Sequence, residues 1–204
     1  MRVEKSRKLW FIISFLLIFI GTFLIFNKYY SFAKEDKIEQ KKIQEFFEFT
    51  ENEINIDNIE VVNSNVQENN YIAVLEIPKI NLKKGLLPKD NEHNNVNENV
   101  TILKESDMPD IEKGNFILAS HSGTSKQAFF KNVYKLDIGD EIYVYYKNKK
   151  YVYKIVDKYE PKKTGKVNIK RDINKSTLTL ITCKAFTDKQ IVIISQLLNS
   201  YNIK

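Results

Sequence analysis

The sequence predicts an N-terminal membrane-spanning helix followed by one all-β domain, a barrel or sandwich of about eight strands. Three observations predict it. Residues 9–26 form an unbroken apolar run, the chain from residue 71 onward is a series of short β-prone stretches cut by turn residues, and no rhythm of strand, long helix, strand is present. At 204 residues there is room for one ordinary domain plus an extension.

Residues 9–26 contain only apolar or small side chains. That is about the length needed to cross a bilayer core of roughly 30 Å at about 1.5 Å per residue. A cleaved signal peptide is the competing reading. The run is longer than the usual apolar region of such peptides, however, and it is followed by Asn27-Lys28-Tyr29-Tyr30 instead of a small-x-small cleavage site. A retained anchor is therefore expected. Arg2, Lys5, Arg7 and Lys8 precede it against Glu4, which keeps residues 1–8 cytoplasmic and exports the remainder of a single-pass cell-membrane protein. Trp10, Tyr29 and Tyr30 suit the aromatic belts at the two interfaces.

Residues 27–70 read as a juxtamembrane helix and linker. A helix over about residues 34–52 carries Ile38, Ile43, Phe46, Phe47 and Phe49, and an Asn-rich tract follows it. The phenylalanines either dock on the following domain or line an exposed stalk.

The domain, residues 71–204, begins with an alternating strand over 71–77 that stops at Pro78. A second, over 80–87, carries Gly85 and ends at Pro88. Residues 91–99 form a polar, Asn-rich loop, 100–103 a short strand and 106–110 a turn. Residues 115–123 read as a buried strand ending on His121. Residues 127–135 read as a short helix or helical turn offering Phe129, Phe130, Val133 and Leu136 to the core. A turn over 137–140 opens a hairpin of 141–147 and 151–157, joined by 148–150. A polar loop over 162–174 contains Arg171; the strand over 176–183 ends on Cys183, and a six-residue connection leads to a last strand over 190–195.

The net charge of +6 is partly the basic residues before the anchor and otherwise scattered lysine alternating with acidic residues, with no basic stripe interleaved with aromatics. Nucleic-acid binding is unsupported, and attraction to an anionic envelope surface is the milder inference. Cys183 is the only cysteine, so no internal disulfide can form and an exported free thiol needs a reason. It is either a small buried hydrophobe or a nucleophile held by the sheet at the mouth of a cleft. Two histidines are available as its proton partner. His93 lies in the polar loop and reads as a solvated residue, whereas His121 ends a buried strand just as Cys183 does and is followed by the flexible Ser122-Gly123.

The pattern Gly114-Asn115-Phe116-Ile117-Leu118-Ala119-Ser120-His121-Ser122-Gly123 is followed by Phe130, Val133, Leu136 and Gly139-Asp140, and then by Thr177-Leu178-Thr179-Leu180-Ile181-Thr182-Cys183. Together with Ile77-Pro78-Lys79-Ile80 and the N-terminal anchor, it resembles the sortases of Gram-positive bacteria. The resemblance covers about residues 71–198. It implies an eight-stranded β-barrel with short helices and a membrane-anchored cysteine transpeptidase. In that reading Cys183 attacks the Thr-Gly bond of a Leu-Pro-x-Thr-Gly-type sorting signal on a surface protein or pilin. An amine of a peptidoglycan precursor or a pilin lysine then resolves the thioacyl enzyme, and His121 serves as general acid and base.

Sortases usually carry an arginine that opens the final strand and binds the substrate carbonyl. Here that position is Gln190, preceded by Lys189. By alternation only one of the two can face the cleft, and register favours Gln190; Arg171, the one arginine past the anchor, is a third candidate. The alternative to an enzyme is a non-catalytic, membrane-tethered sortase-fold binding or scaffold module. No cofactor is implied. Asp107 and Asp110 near Glu105 and Glu112 read as a solvated acidic loop, with Ca²⁺ as the competing reading.

Overall fold

The computed structural model describes residues 2–53 and 71–203. The chain divides into two compact units, Met1–Gln40 and Lys41–Lys204. The linker tract expected over 54–70 lies outside the described residues, as does the side chain of Phe49.

Helix α1 runs without interruption over Arg2–Glu53. It takes in both the apolar run and the helix expected over 34–52. It is long and apolar enough to cross a membrane, and Trp10, Phe15, Phe19 and Phe26 are exposed along it. In the second unit the end of the helix is not a bare stalk. Ile43 is only 3% exposed, and the Phe47 ring stands edge-on to Tyr145 at 5.0 Å, with the Lys83 ammonium 4.9 Å from its centroid. An apolar pair spaced by four residues faces one side of a helix, and here that side covers the sheet.

The sheet has eight strands: β1 (Ala73–Ile77), β2 (Leu82–Leu86), β3 (Thr101–Ile102), β4 (Asn115–Ala119), β5 (Glu141–Tyr146), β6 (Lys149–Tyr159), β7 (Thr177–Cys183) and β8 (Gln190–Asn202). Their order is β2-β1-β5-β6-β8-β7-β4-β3, in a nearly closed, barrel-like sheet. Every pairing is antiparallel except that of β4 with β7, where Asn115 faces Thr177 and Ala119 faces Ile181. The core is lined by alternate residues of each strand, among them Leu75, Phe116, Leu118, Ile142, Val144, Tyr153, Leu178, Leu180, Ile191 and Ile193. Burial of its phenol pushes the Tyr153 pKa above the usual tyrosine range.

Three local expectations shift. The helical turn expected over 127–135 contracts to a 3₁₀ turn at Val133–Lys135, with backbone bonds from Leu136 to Val133 and from Val133 to Phe130, each 3.1 Å. Its buried residues Phe130, Val133 and Leu136 recur every third position, which is the period of a 3₁₀ helix. The hairpin turn falls on Lys147-Asn148, one residue earlier than expected, because both take positive φ, 46° and 56°, as a two-residue turn requires. Strand β8 continues to Asn202, pairing with the long β6; Ser200 and Asn202 give that end no apolar alternation to read.

The face of β7 away from the core is polar at its start and fully satisfied. The Asn115 side-chain oxygen accepts from the Thr177 and Thr179 hydroxyls at 3.0 and 2.8 Å, while the Asn115 backbone N–H donates to Asp107 at 2.8 Å. Asp110, its neighbour in the acidic loop, pairs with Lys147 at 2.8 Å. Asn115→Ala strips two buried hydroxyls of their shared acceptor, and we expect it to cost about 2 kcal/mol of stability, visible as a lower thermal unfolding midpoint.

Candidate active site

The parallel pairing of β4 and β7 builds the site. It sends both strands in the same direction, so their C-terminal ends open at the same edge of the sheet. Cys183 closes β7 and His121 lies two residues past the end of β4. The Ser120 N–H reaches the Ile181 carbonyl at 3.3 Å, and the Thr182 hydroxyl donates to the Ser120 carbonyl at 2.8 Å. Ser122 carries the tie one step further by donating its hydroxyl to the Cys183 carbonyl. Gly123, at φ +114°, then turns the chain away in a conformation that side chains disfavour.

On the other flank β8 runs antiparallel to β7, and its first residue, Gln190, is the register partner of Cys183. Residues paired across a sheet project to the same face. Continuing the β4–β7 register by two residues gives a row of His121, Cys183 and Gln190 across three adjacent strand ends. Neighbouring strands lie about 4.8 Å apart. All three residues are partly exposed, and Cys183 is a free thiol.

The other two candidates lie elsewhere. Lys189 is exposed, follows Asp188 out of the connection, and alternates to the opposite face from Gln190. Its carbonyl accepts the Lys184 N–H at 2.9 Å, closing the loop. Arg171 donates to the carbonyls of Lys113 and Lys175 at 3.0 and 3.3 Å. Lys113 bonds Ser176 at 2.9 Å at the start of β7, so Arg171 is held at the opposite end of that strand. Six residues of extended chain separate it from Cys183, or about 20 Å.

Gln190 itself is unusual. Its backbone N–H donates to Pro161 at 2.8 Å, but its side-chain oxygen is buried with no hydrogen-bond partner. Next to it, the Lys184 ammonium bonds Glu160 at 2.7 and 2.8 Å and holds that carboxyl below its usual pKa. Two contacts at the site were not expected from the residues: Ser122 with Cys183, and Asn97, whose side-chain oxygen lies 3.2 Å from His121 Nε2. The second comes from the Asn-rich loop. Its run of Asn residues, which bond readily to their own backbone, is the signal that the loop is ordered. His93, in the same loop, is held by Glu98 at 2.6 Å and Glu92 at 3.3 Å.

A strand-end thiol, a strand-end imidazole one strand away and an amide one strand further suit acyl transfer. The family model for the sortase domain matches residues 75–197, more than half of the chain and all three of these positions. The chain belongs to the sortase family. Sortase A of Bacillus anthracis is 26% identical over 96% of this chain and 98% of its own length. Among solved structures, a Clostridium perfringens sortase D5 transpeptidase matches with a TM-score of 0.58 and 22% identity, covering 80% of this chain and 99% of that one. Listeria monocytogenes sortase A matches at 0.56 and 21%, covering 66% and 91%. Sortases are cysteine transpeptidases, and the eight-stranded barrel expected of them is the fold observed.

Proposed function

We propose that this sortase is membrane-anchored, with residues 1–8 cytoplasmic and the barrel outside the cell, and that it joins surface proteins or pilins to an amine. The observation that carries the reading is the parallel pairing of β4 with β7 and the pairing of Cys183 with Gln190, which set the ends of three adjacent strands side by side. The Cys183 thiolate adds to the Thr carbonyl carbon of a Leu-Pro-x-Thr-Gly-type signal. The C–N bond to Gly then breaks as the His121 imidazolium donates its proton to the leaving amine. An amine of a peptidoglycan precursor or a pilin lysine attacks the thioester, giving its proton to His121; the C–S bond breaks and the thiolate is restored. Gln190 donates its amide N–H to the substrate carbonyl.

Mass spectrometry of the protein mixed with such a peptide tests this. The expected result is an acyl adduct on Cys183, equal to the peptide less its Gly leaving portion, which disappears when an amine is added. A Cys183 that stays unmodified overturns the proposal. It would favour the second reading, a binding module that kept the barrel, which the glutamine in place of the usual arginine supports.

A further inference from the structure

The Asn-rich loop of residues 91–99 sits against the site, and the transfer chemistry proposed above assigns it no part. It is built as firmly as a strand. Asn94 clasps β3 from both sides, its amide N–H donating to the Ile102 carbonyl at 2.9 Å and its side-chain oxygen accepting the Ile102 N–H at 2.9 Å. Strand β3 is in turn paired to β4, Thr101 with Ala119 and Ile102 with Leu118. The loop is thus fixed to the strand that carries His121. Within it, the Asn95 side chain donates to the Glu92 carbonyl and to the Glu98 carboxylate, each at 3.0 Å, and accepts the Asn97 N–H at 3.1 Å. That last bond is an Asx turn, which sets the backbone of Asn97 and so aims its side chain.

We infer that Asn97 is a positioning residue for His121, holding the imidazole so that Nε2 carries the proton and Nδ1 is left for the thiol. The inference rests on His121 exchanging protons with Cys183. An amide oxygen can only accept, so the ring nitrogen 3.2 Å from it must be the protonated one. Among the described residues no other side chain or backbone group hydrogen-bonds the ring. Asn97 therefore supplies the hydrogen bond that selects the tautomer and restrains rotation of the ring about its Cβ bond. When His121 takes up a proton, the same oxygen stays in place as the acceptor of Nε2–H, so the ring needs no reorientation between its two protonation states. The loop supplies orientation and Asn97 touches no substrate.

Histidine-selective ¹⁵N spectra of the full-length protein, together with steady-state kinetics, test this. Only His93 and His121 contribute signals, and His93→Gln assigns them. The wild type is expected to show His121 as a nearly pure Nε2–H tautomer. In Asn97→Ala the His121 signals should move to the tautomer mixture of a free histidine. kcat should fall about ten-fold at unchanged KM, because a hydrogen bond is lost that orients the base without binding substrate. Asn97→Asp keeps the acceptor oxygen and should restore both. Asn97→Ala with the wild-type tautomer overturns the inference, whatever its rate. So does a ten-fold loss that Asn97→Asp fails to restore. If Cys183→Ala turns over peptide as fast as wild type, the transfer reading fails, and the ¹⁵N pattern alone then decides whether Asn97 orients the ring.

Discussion

Cys183→Ala is expected to reduce turnover of a sorting-signal peptide with an amine acceptor by at least about a thousand-fold, to the uncatalysed background. The expectation follows from where the thiol is. Cys183 is the only sulfur nucleophile available, since it is the only cysteine in the chain. No hydroxyl stands in the same row; Ser122 is the nearest candidate, and its hydroxyl is committed to the Cys183 carbonyl. The substitution removes little packing, because the side chain is partly exposed and lost methyl-sized groups at such positions cost little stability. A thermal midpoint within a few degrees of wild type, alongside lost turnover, separates chemistry from misfolding. Equal turnover in the two proteins would sink the nucleophile assignment.

Gln190→Arg is expected to raise kcat/KM about ten- to hundred-fold on the same peptide. Gln190, the register partner of Cys183, leaves its side-chain oxygen buried and unpartnered. An orphaned acceptor of this kind costs about 1–3 kcal/mol, and the group proposed to bind at this position, the substrate carbonyl, is another acceptor. Arginine carries five donors and no acceptor, so it removes the orphan and adds a charge-assisted contact where negative charge develops. Gln190→Ala provides the reference. It should slow the wild-type reaction if the amide donates to the carbonyl. Equal rates for Gln190, Ala and Arg would show that this position holds no part of the substrate.

The strands were legible where their physics is local. Residues 141–146 alternate cleanly, Pro78 and Pro88 cut the chain where strands stop, and Gly139 marks the turn before β5 starts. The two strand ends of the candidate site were legible too, because His121 and Cys183 each follow an apolar run. What could not be read was adjacency. Nothing in either run says that β4 and β7 lie side by side and parallel, and that pairing is what makes two strand ends one site. Arg171 shows the same limit from the other side. Its place in the loop before β7 left it free to reach the cleft, and only its bonds to Lys113 and Lys175 fix it at the far end. Asn97 is separated from His121 by two strands and a turn, and no periodicity links them.

The pairing of β4 with β7 and β8 also has a consequence in time. The strand ends that carry His121 and Cys183 come side by side only after the 61 residues between them have closed on themselves, and Gln190 joins from the final strand. Contacts of such sequence separation form late, because the entropy of loop closure is paid before they reward it. A chain folded through β6 alone has the end of β4 in place without the ends of β7 and β8 beside it. On the site proposed above, reactivity therefore arises only with completion of the barrel, and the half-made protein cannot capture peptides while it is still assembling.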